Sequence, residues 1–156
     1  MLNCTIPGGR TLQLAHLVLD YNGTIALDGR LLDGVAERLG RLAEFLEIHV
    51  LTADTHGTVK EKVRGFPCRL AVIGPDAQDQ AKLAYIERLD SRLVAAIGNG
   101  RNDWLMLERA ALGIAVVGGE GASSRALMAA DLVCTGITDG LDVLLLPRRL
   151  QATLRN

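Results

Sequence analysis

Aromatic residues are scarce in this chain: Phe, Tyr and Trp together make up 3% of it. Stacking platforms for single-stranded nucleic acid need such rings, so that class of binding is not expected. An excess of one charge is missing as well, with 17 Lys+Arg against 18 Asp+Glu and a formal net charge of −1. That balance offers no electrostatic case for nucleic acid or an anionic membrane surface. Cysteine is rare: Cys4, Cys68 and Cys134 lie far apart and form no CxxC pair. Neither a disulfide framework nor a zinc site is suggested by them, and a reducing compartment is the simpler reading. Long apolar runs are absent too, since LLL at 144–146 falls far short of a membrane span. The opening MLNCTIPGGRTLQL lacks a basic stretch followed by an apolar one, so a signal peptide is not expected and a cytoplasmic location is. What the chain does have is aliphatic mass. Hydrophobic residues reach 49% against 22% charged, over 156 residues. One domain over 1–156 is expected, made of an amino-terminal hairpin (1–15) and a core (16–156).

Strand and helix signals alternate with little wasted sequence. Segments 2–6 and 11–15 flank Pro7-Gly8-Gly9 and read as a short hairpin. LVLD at 17–20 is apolar on consecutive positions before its Asp, as a strand buried on both faces should be. Further strands are expected at 48–52, 69–74, 93–98, 113–117 and 131–134. Helices are expected at 34–46, 57–64, 78–89, 103–111 and 123–129. The stretch 138–154 reads as helical, with Pro147 ending or kinking it. The pattern predicts an α/β fold: a Rossmann-like three-layer sandwich with a mainly parallel sheet and a short amino-terminal β-hairpin. In such sheets the site lies beyond the carboxyl ends of the strands.

Three of those ends carry polar residues of a particular kind. The first reads Asp20-Tyr21-Asn22-Gly23-Thr24, the second Thr52-Ala53-Asp54-Thr55, and the fourth Gly98-Asn99-Gly100-Arg101-Asn102-Asp103. Lys82 lies on the helix before the fourth strand. Alone, each has a plain structural use as turn residue, cap or solvated charge. Asp54, Asp76 and Asp79 are read that way, and Asp28-Gly29 as a tight turn within a flap. Together the others suit phosphoryl transfer. A carboxylate can attack phosphorus, a hydroxyl can hold phosphoryl oxygens, and an ammonium can offset the charge that develops. Gly23 and Gly100 would let backbone approach a phosphate or metal closely.

In this order the motifs resemble the haloacid dehalogenase-like (HAD) superfamily, and more narrowly the phosphorylation domain of P-type ATPases. LVLDYNGT at 17–24 is similar to the strand plus DxxGT of the first motif, LTAD at 51–54 to LTGD, Lys82 to the third-motif lysine, and GNGRND at 98–103 to GDGxND. LGIAVVGGEGASSRALMAADLV at 112–133 resembles the segment that follows in the pumps. The resemblance covers 17 to about 145 and leaves out the hairpin. It implies Asp20 as nucleophile and metal ligand, with the Asn22 carbonyl, Asn99 and Asp103 completing a Mg²⁺ site. Gly23, Thr52, Ala53 and Lys82 would bind the phosphoryl group, and Asn102 and Thr24 would orient the ligands.

Two residues depart from that pattern. Asn22 stands where HAD phosphatases have an Asp that protonates the leaving group, and an amide cannot act as a general acid or base. Substrates with good leaving groups should then be preferred. Asn99 stands where a metal-binding Asp is usual, which lowers the charge available to Mg²⁺. Only 32 positions separate Asp20 from Thr52, and 30 separate Thr52 from Lys82. No cap domain, nucleotide-binding domain or membrane domain fits between them, so the chain is not expected to be a pump by itself. An open site invites a large substrate, or a second subunit of a homo-oligomer serving as lid. The expected partner is a phosphorylated small molecule or macromolecule. Three readings stand at this point: a Mg²⁺-dependent phosphatase or phosphotransferase, a catalytically weak or inactive HAD-fold binding or regulatory protein, and a phosphorelay receiver. The last lacks the acidic pair near the amino terminus.

Overall fold

Pro7, Gly8 and Gly9 turn the chain back on itself, with the Gly9 amide donating to the Ile6 carbonyl at 3.0 Å. They join β1 (Leu2–Thr5) to β2 (Thr11–Leu14) as an antiparallel pair that stands apart from the main sheet. Leu2, Cys4, Leu12 and Leu14 alternate with exposed residues and are buried. This is a computed structural model, and it describes residues 1–54 and 57–156. Thr55, read above as part of the second strand end, lies outside the described residues.

After β2 come β3 (His16–Asp20), the flap strands β4 (Ala26–Leu27) and β5 (Arg30–Leu31), α1 (Val35–Leu42), β6 (Glu47–Thr52), α2 (Thr58–Lys62) and β7 (Cys68–Val72). The second half comprises α3 (Gln78–Arg88), β8 (Val94–Gly98), α4 (Trp104–Arg109), β9 (Leu112–Val116), α5 (Ser124–Ala129), β10 (Leu132–Cys134), α6 (Ile137–Leu145) and α7 (Pro147–Leu154). Six strands form one parallel sheet in the order β10-β9-β8-β3-β6-β7. The apolar run of β3 serves both faces. Leu17 and Leu19 join the core beneath α1, α6 and the hairpin, while Val18 joins the core beneath α3, α4 and α5. The expected three-layer α/β architecture is therefore present.

One boundary differs from the sequence pattern for a local reason. The apolar spacing extends a helix to 46, but α1 ends at Leu42. Phe45 and Leu46 then both donate to the Leu42 carbonyl in a tightened turn, which delivers the chain to β6. Pro147 breaks the stretch as expected: α6 ends at Leu145, and Pro147 opens α7 at its first position, where its missing N–H costs no hydrogen bond. Among the described residues, only the flap and α1 lie between β3 and β6, and only α2 between β6 and β7.

The topology fixes where a site can form. From β3 the chain proceeds outward to β6 and β7, then returns to β8 on the other flank of β3 and continues to β9 and β10. The strand order thus reverses beside β3, and the carboxyl ends of β3 and β8 border the resulting crevice.

Candidate active site

Asp20 is the last residue of β3, at the centre of the sheet. Its neighbours Thr52 and Gly98 end β6 and β8, so parallel register alone brings three of the expected segments together. Lys82 reaches them from α3. Its Nζ lies 2.6 Å from Asp20 Oδ1 and 2.5 Å from Asp103 Oδ1, and its side chain is only 3% exposed. Burial works against the ammonium, yet the two carboxylates outweigh it and hold its pKa above the ordinary lysine value. Burial also raises the Asp20 carboxyl, with the Asp103 charge adding to the effect. Lys82, through charge and hydrogen bond, and a hydrogen bond from Thr24 oppose it, and the result is about 6.

Asp103 is wholly buried behind Lys82. Its Oδ2 accepts from the Asn99 and Gly100 amides at 3.0 and 2.8 Å, so the loop after β8 is wrapped around this carboxylate. A Cβ on Gly98 would lie 2.5 Å from Asp103 Cγ; glycine is required for the carboxylate to pack this closely against β8. Asn99 donates its Nδ2 to the Gly121 carbonyl at 3.1 Å, which turns its Oδ1 toward Thr24 Oγ1, 3.2 Å away. Thr24 Oγ1 also lies 3.1 Å from Asp20 Oδ2. Gly23 has φ +80°, and a Cβ there would meet Asn99 and Glu120 atoms at 2.6 Å. The backbone after the first motif is therefore folded tightly under the second carboxamide.

Around these groups lies a cleft of about 250 Å³, lined in part by Asp20, Asn22, Thr52, Ala53, Lys82 and Asn99. Asn102 lines it too, but its Nδ2 is engaged by Gln78 Oε1 at 2.7 Å, tying the loop after β8 to the start of α3. Thr52 Oγ1 accepts from the Asp54 amide, and Asp54 Oδ2 receives the Val59 amide and the Thr58 hydroxyl at the start of α2. That is the capping use expected of Asp54. The flap also matches expectation: Asp28 and Gly29 both have positive φ, as a two-residue hairpin turn of the right twist requires. Lys62 Nζ and Tyr21 Oη both donate to the Gly29 carbonyl and hold the flap down.

Glu120 was not foreseen. It lies in the loop after β9 and lines the cleft, with its Oε2 beside Gly23. In the sequence it sits in GGEG, which reads as a turn. Only the position of β9 next to β8 carries it over the crevice. Counted as ionised, Asp20, Asp103 and Glu120 outnumber Lys82 by two charges. Such a set of oxygen donors with surplus negative charge fits a hard divalent cation such as Mg²⁺.

The fold is that of the HAD superfamily. It is similar to a Streptomyces avermitilis protein assigned to the HAD family of hydrolases, with a TM-score of 0.70 and 20% identity over 88% of each chain. It is also similar to the 3-deoxy-D-manno-octulosonate 8-phosphate phosphatase of Moraxella catarrhalis, determined with magnesium, phosphate and KDO. There the TM-score is 0.67 at 16% identity, covering 91% of this chain and 94% of that one. By sequence, a copper-exporting P-type ATPase of Staphylococcus saprophyticus is 28% identical over 154 residues, 95% of this chain but 18% of the pump. An uncharacterized protein of Methanocaldococcus jannaschii is 46% identical over 80 residues, which span 49% of this chain and 86% of that protein. The chain belongs to the same family as this archaeal protein. No family model matches it.

Proposed function

We propose that the chain is a Mg²⁺-dependent phosphatase or phosphotransferase that works through an aspartyl phosphate on Asp20. The observation that carries this reading is the buried Asp20–Lys82–Asp103 triad, opening on a polar cleft with Thr52 and Asn99 at its wall. The likeness to phosphatase structures and to the pump segment supports it.

Asp20 would attack phosphorus, forming an O–P bond as the bond to the leaving group breaks. Lys82 would hold the carboxylate in line and offset charge on the phosphoryl oxygens, with the Thr52 hydroxyl as a further donor. Bound Mg²⁺ would screen the repulsion between carboxylate and phosphate, held by Asp20, the Asn22 carbonyl and Asn99, with Asp103 supporting the loop behind. Asn22 cannot protonate the leaving oxygen, so acyl phosphates, anhydrides and nitrophenyl phosphate should turn over faster than alkyl phosphates. Water then attacks the acyl phosphate, releasing phosphate and restoring Asp20. Glu120, besides Asp20, is the carboxylate that the described cleft presents to that water. The absence of an inserted cap among the described residues favours a phosphorylated macromolecule, or a small phosphate covered by a second subunit.

A second reading has its own observation. Asn22 and Asn99 both replace acids with amides, which suits a protein that binds phosphate or metal without turnover. Mg²⁺-dependent phosphate release from acetyl phosphate and p-nitrophenyl phosphate separates the two, using wild type and Asp20→Asn. Intact mass should accompany each assay, because Asn22-Gly23 and Asn99-Gly100 are prone to deamidation. Release that needs Mg²⁺ and disappears in the variant supports the enzyme. Equal negligible turnover, with no phosphorylated protein by mass, establishes the binding protein.

A further inference from the structure

At the amino-terminal ends of the strands, opposite the cleft, three metal-ligating side chains converge. His16 begins β3, and Glu47 begins β6 directly beside it in the register. His49 follows two residues later on the same face, the face that α3 covers. His16 Nδ1 lies 3.2 Å from His49 Nε2 and 3.4 Å from Glu47 Oε2, and the last two atoms are 3.9 Å apart. A triangle with these sides has a circumscribed radius of about 2 Å, which matches zinc–nitrogen and zinc–oxygen bond lengths of about 2.0–2.2 Å. A single point thus lies at bonding distance from all three donors.

The surroundings prepare each donor. His49 is buried, and its Nδ1 faces Tyr85 Oη at 2.9 Å. With the Nδ1 hydrogen given to that oxygen, the Nε2 lone pair is directed at the convergence point. A hydrogen-bond partner on the far nitrogen of this kind orients a metal-bound imidazole. Burial pushes the pKa of this ring down to about 4 against the pull of Glu47. Arg69 takes Glu47 Oε1 as an ion pair and leaves Oε2 toward the histidines. As a purely hydrogen-bonded cluster the arrangement is frustrated. His16 Nδ1 faces two partners, and one ring nitrogen carries one hydrogen or one lone pair, so it can serve only one of them well.

We propose that His16, Glu47 and His49 form a binding site for a divalent transition metal of the zinc type, distinct from the oxygen-lined cleft at the other end of the sheet. Cysteine spacing gave no hint of it, because no cysteine takes part. Two nitrogens and one carboxylate favour zinc over magnesium, whereas the cleft's oxygen donors favour magnesium, so the two ends sort cations by ligand chemistry. His16 and Glu47 are partly exposed, which leaves room for water in a fourth position. The bound cation would cross-link β3 to β6 and, through Tyr85, brace α3.

The test uses metal-stripped protein in excess Mg²⁺, to which one equivalent of Zn²⁺ is added. Imidazole ¹⁵N spectra of the wild type should show His16 Nδ1 and His49 Nε2 shifting together. With free Zn²⁺ at a hundredfold its Kd, Tm should rise by about 5–10 °C. Asp20→Asn should keep that rise. His16→Asn and Glu47→Gln should lose it, with zinc affinity down about tenfold or more. Wild-type imidazoles that do not move, or a His16→Asn protein that keeps the full rise, would overturn the site. Should either variant fail to fold, the wild-type spectrum decides alone.

Discussion

Under the proposed mechanism, Asn22 and Glu120 would divide between them what one aspartate does in HAD phosphatases. Asn22 lines the cleft but has no proton to deliver, and Glu120 brings a carboxylate from another loop. Glu120→Gln is therefore expected to slow hydrolysis of the phosphorylated protein by about 10²-fold while leaving its formation nearly intact. Quenched-flow trapping checks this, since phosphorylated protein should accumulate after a burst. Lys82 poses a different problem. Removing its charge leaves Asp20 and Asp103 buried with no cation between them, so Lys82→Met should cost about 3–5 kcal/mol in urea unfolding at pH 7 and abolish turnover. Adding Asp20→Asn to it should recover part of the lost stability, which a double-mutant cycle measures.

Elements meet at fewer specific points than residues do, and one of them is charged. Arg38 of α1 forks onto Asp142 of α6 with bonds of 2.7 and 3.1 Å, both side chains largely shielded. Hydrogen bonding to Arg38 holds the Asp142 carboxyl below the usual carboxylate range. The unfolded chain consequently binds this proton more readily than the folded one. The pair's contribution is fully present above the ordinary carboxylate pKa of about 3.9 and is lost as pH falls through the lower folded value. Asp142→Asn should cost about 1 kcal/mol at pH 7, and the gap to wild type should close as acid is added. Thermal unfolding at pH 7 and at successively lower pH follows the gap as it closes. The elements themselves were largely legible. β3, β8 and β9 carry consecutive apolar residues because both faces are covered, and Pro7-Gly8-Gly9 marks the hairpin without help from the rest. What could not be read was set by register between distant strands. His16, Glu47 and Tyr85 become neighbours of His49 only when β6 lies beside β3 under α3, and Glu120 meets Gly23 only because β9 follows β8 outward.

For the whole molecule, two cores on either side of one parallel sheet place the cleft at the end of the strands, with no inserted cap over it among the described residues. Discrimination among small phosphates normally comes from contacts with the departing group, and among the described residues no inserted cap stands over the cleft to supply them. Esters matched in leaving-group acidity but differing in bulk should therefore have kcat/KM values within about tenfold, or roughly 1.4 kcal/mol of one another. Leaving-group acidity itself should matter far more, because no proton is delivered by Asn22. A steep dependence on acidity with a flat dependence on size is the expected result of assaying a series of aryl phosphates.

The central place of β3 has a consequence for time as well as for chemistry. Its amides are bonded to strands on both sides and covered by both cores, so Leu17–Leu19 should exchange hydrogen for deuterium only when the whole molecule opens. The flap strands, two residues each and outside the main sheet, should exchange faster through local opening. Asp20 stands at the seam. Under the proposed mechanism the attacking carboxylate would be anchored in the central strand, and a few residues later the same chain passes into the flap, whose local opening would admit a phosphate without loosening the base on which the carboxylate rests.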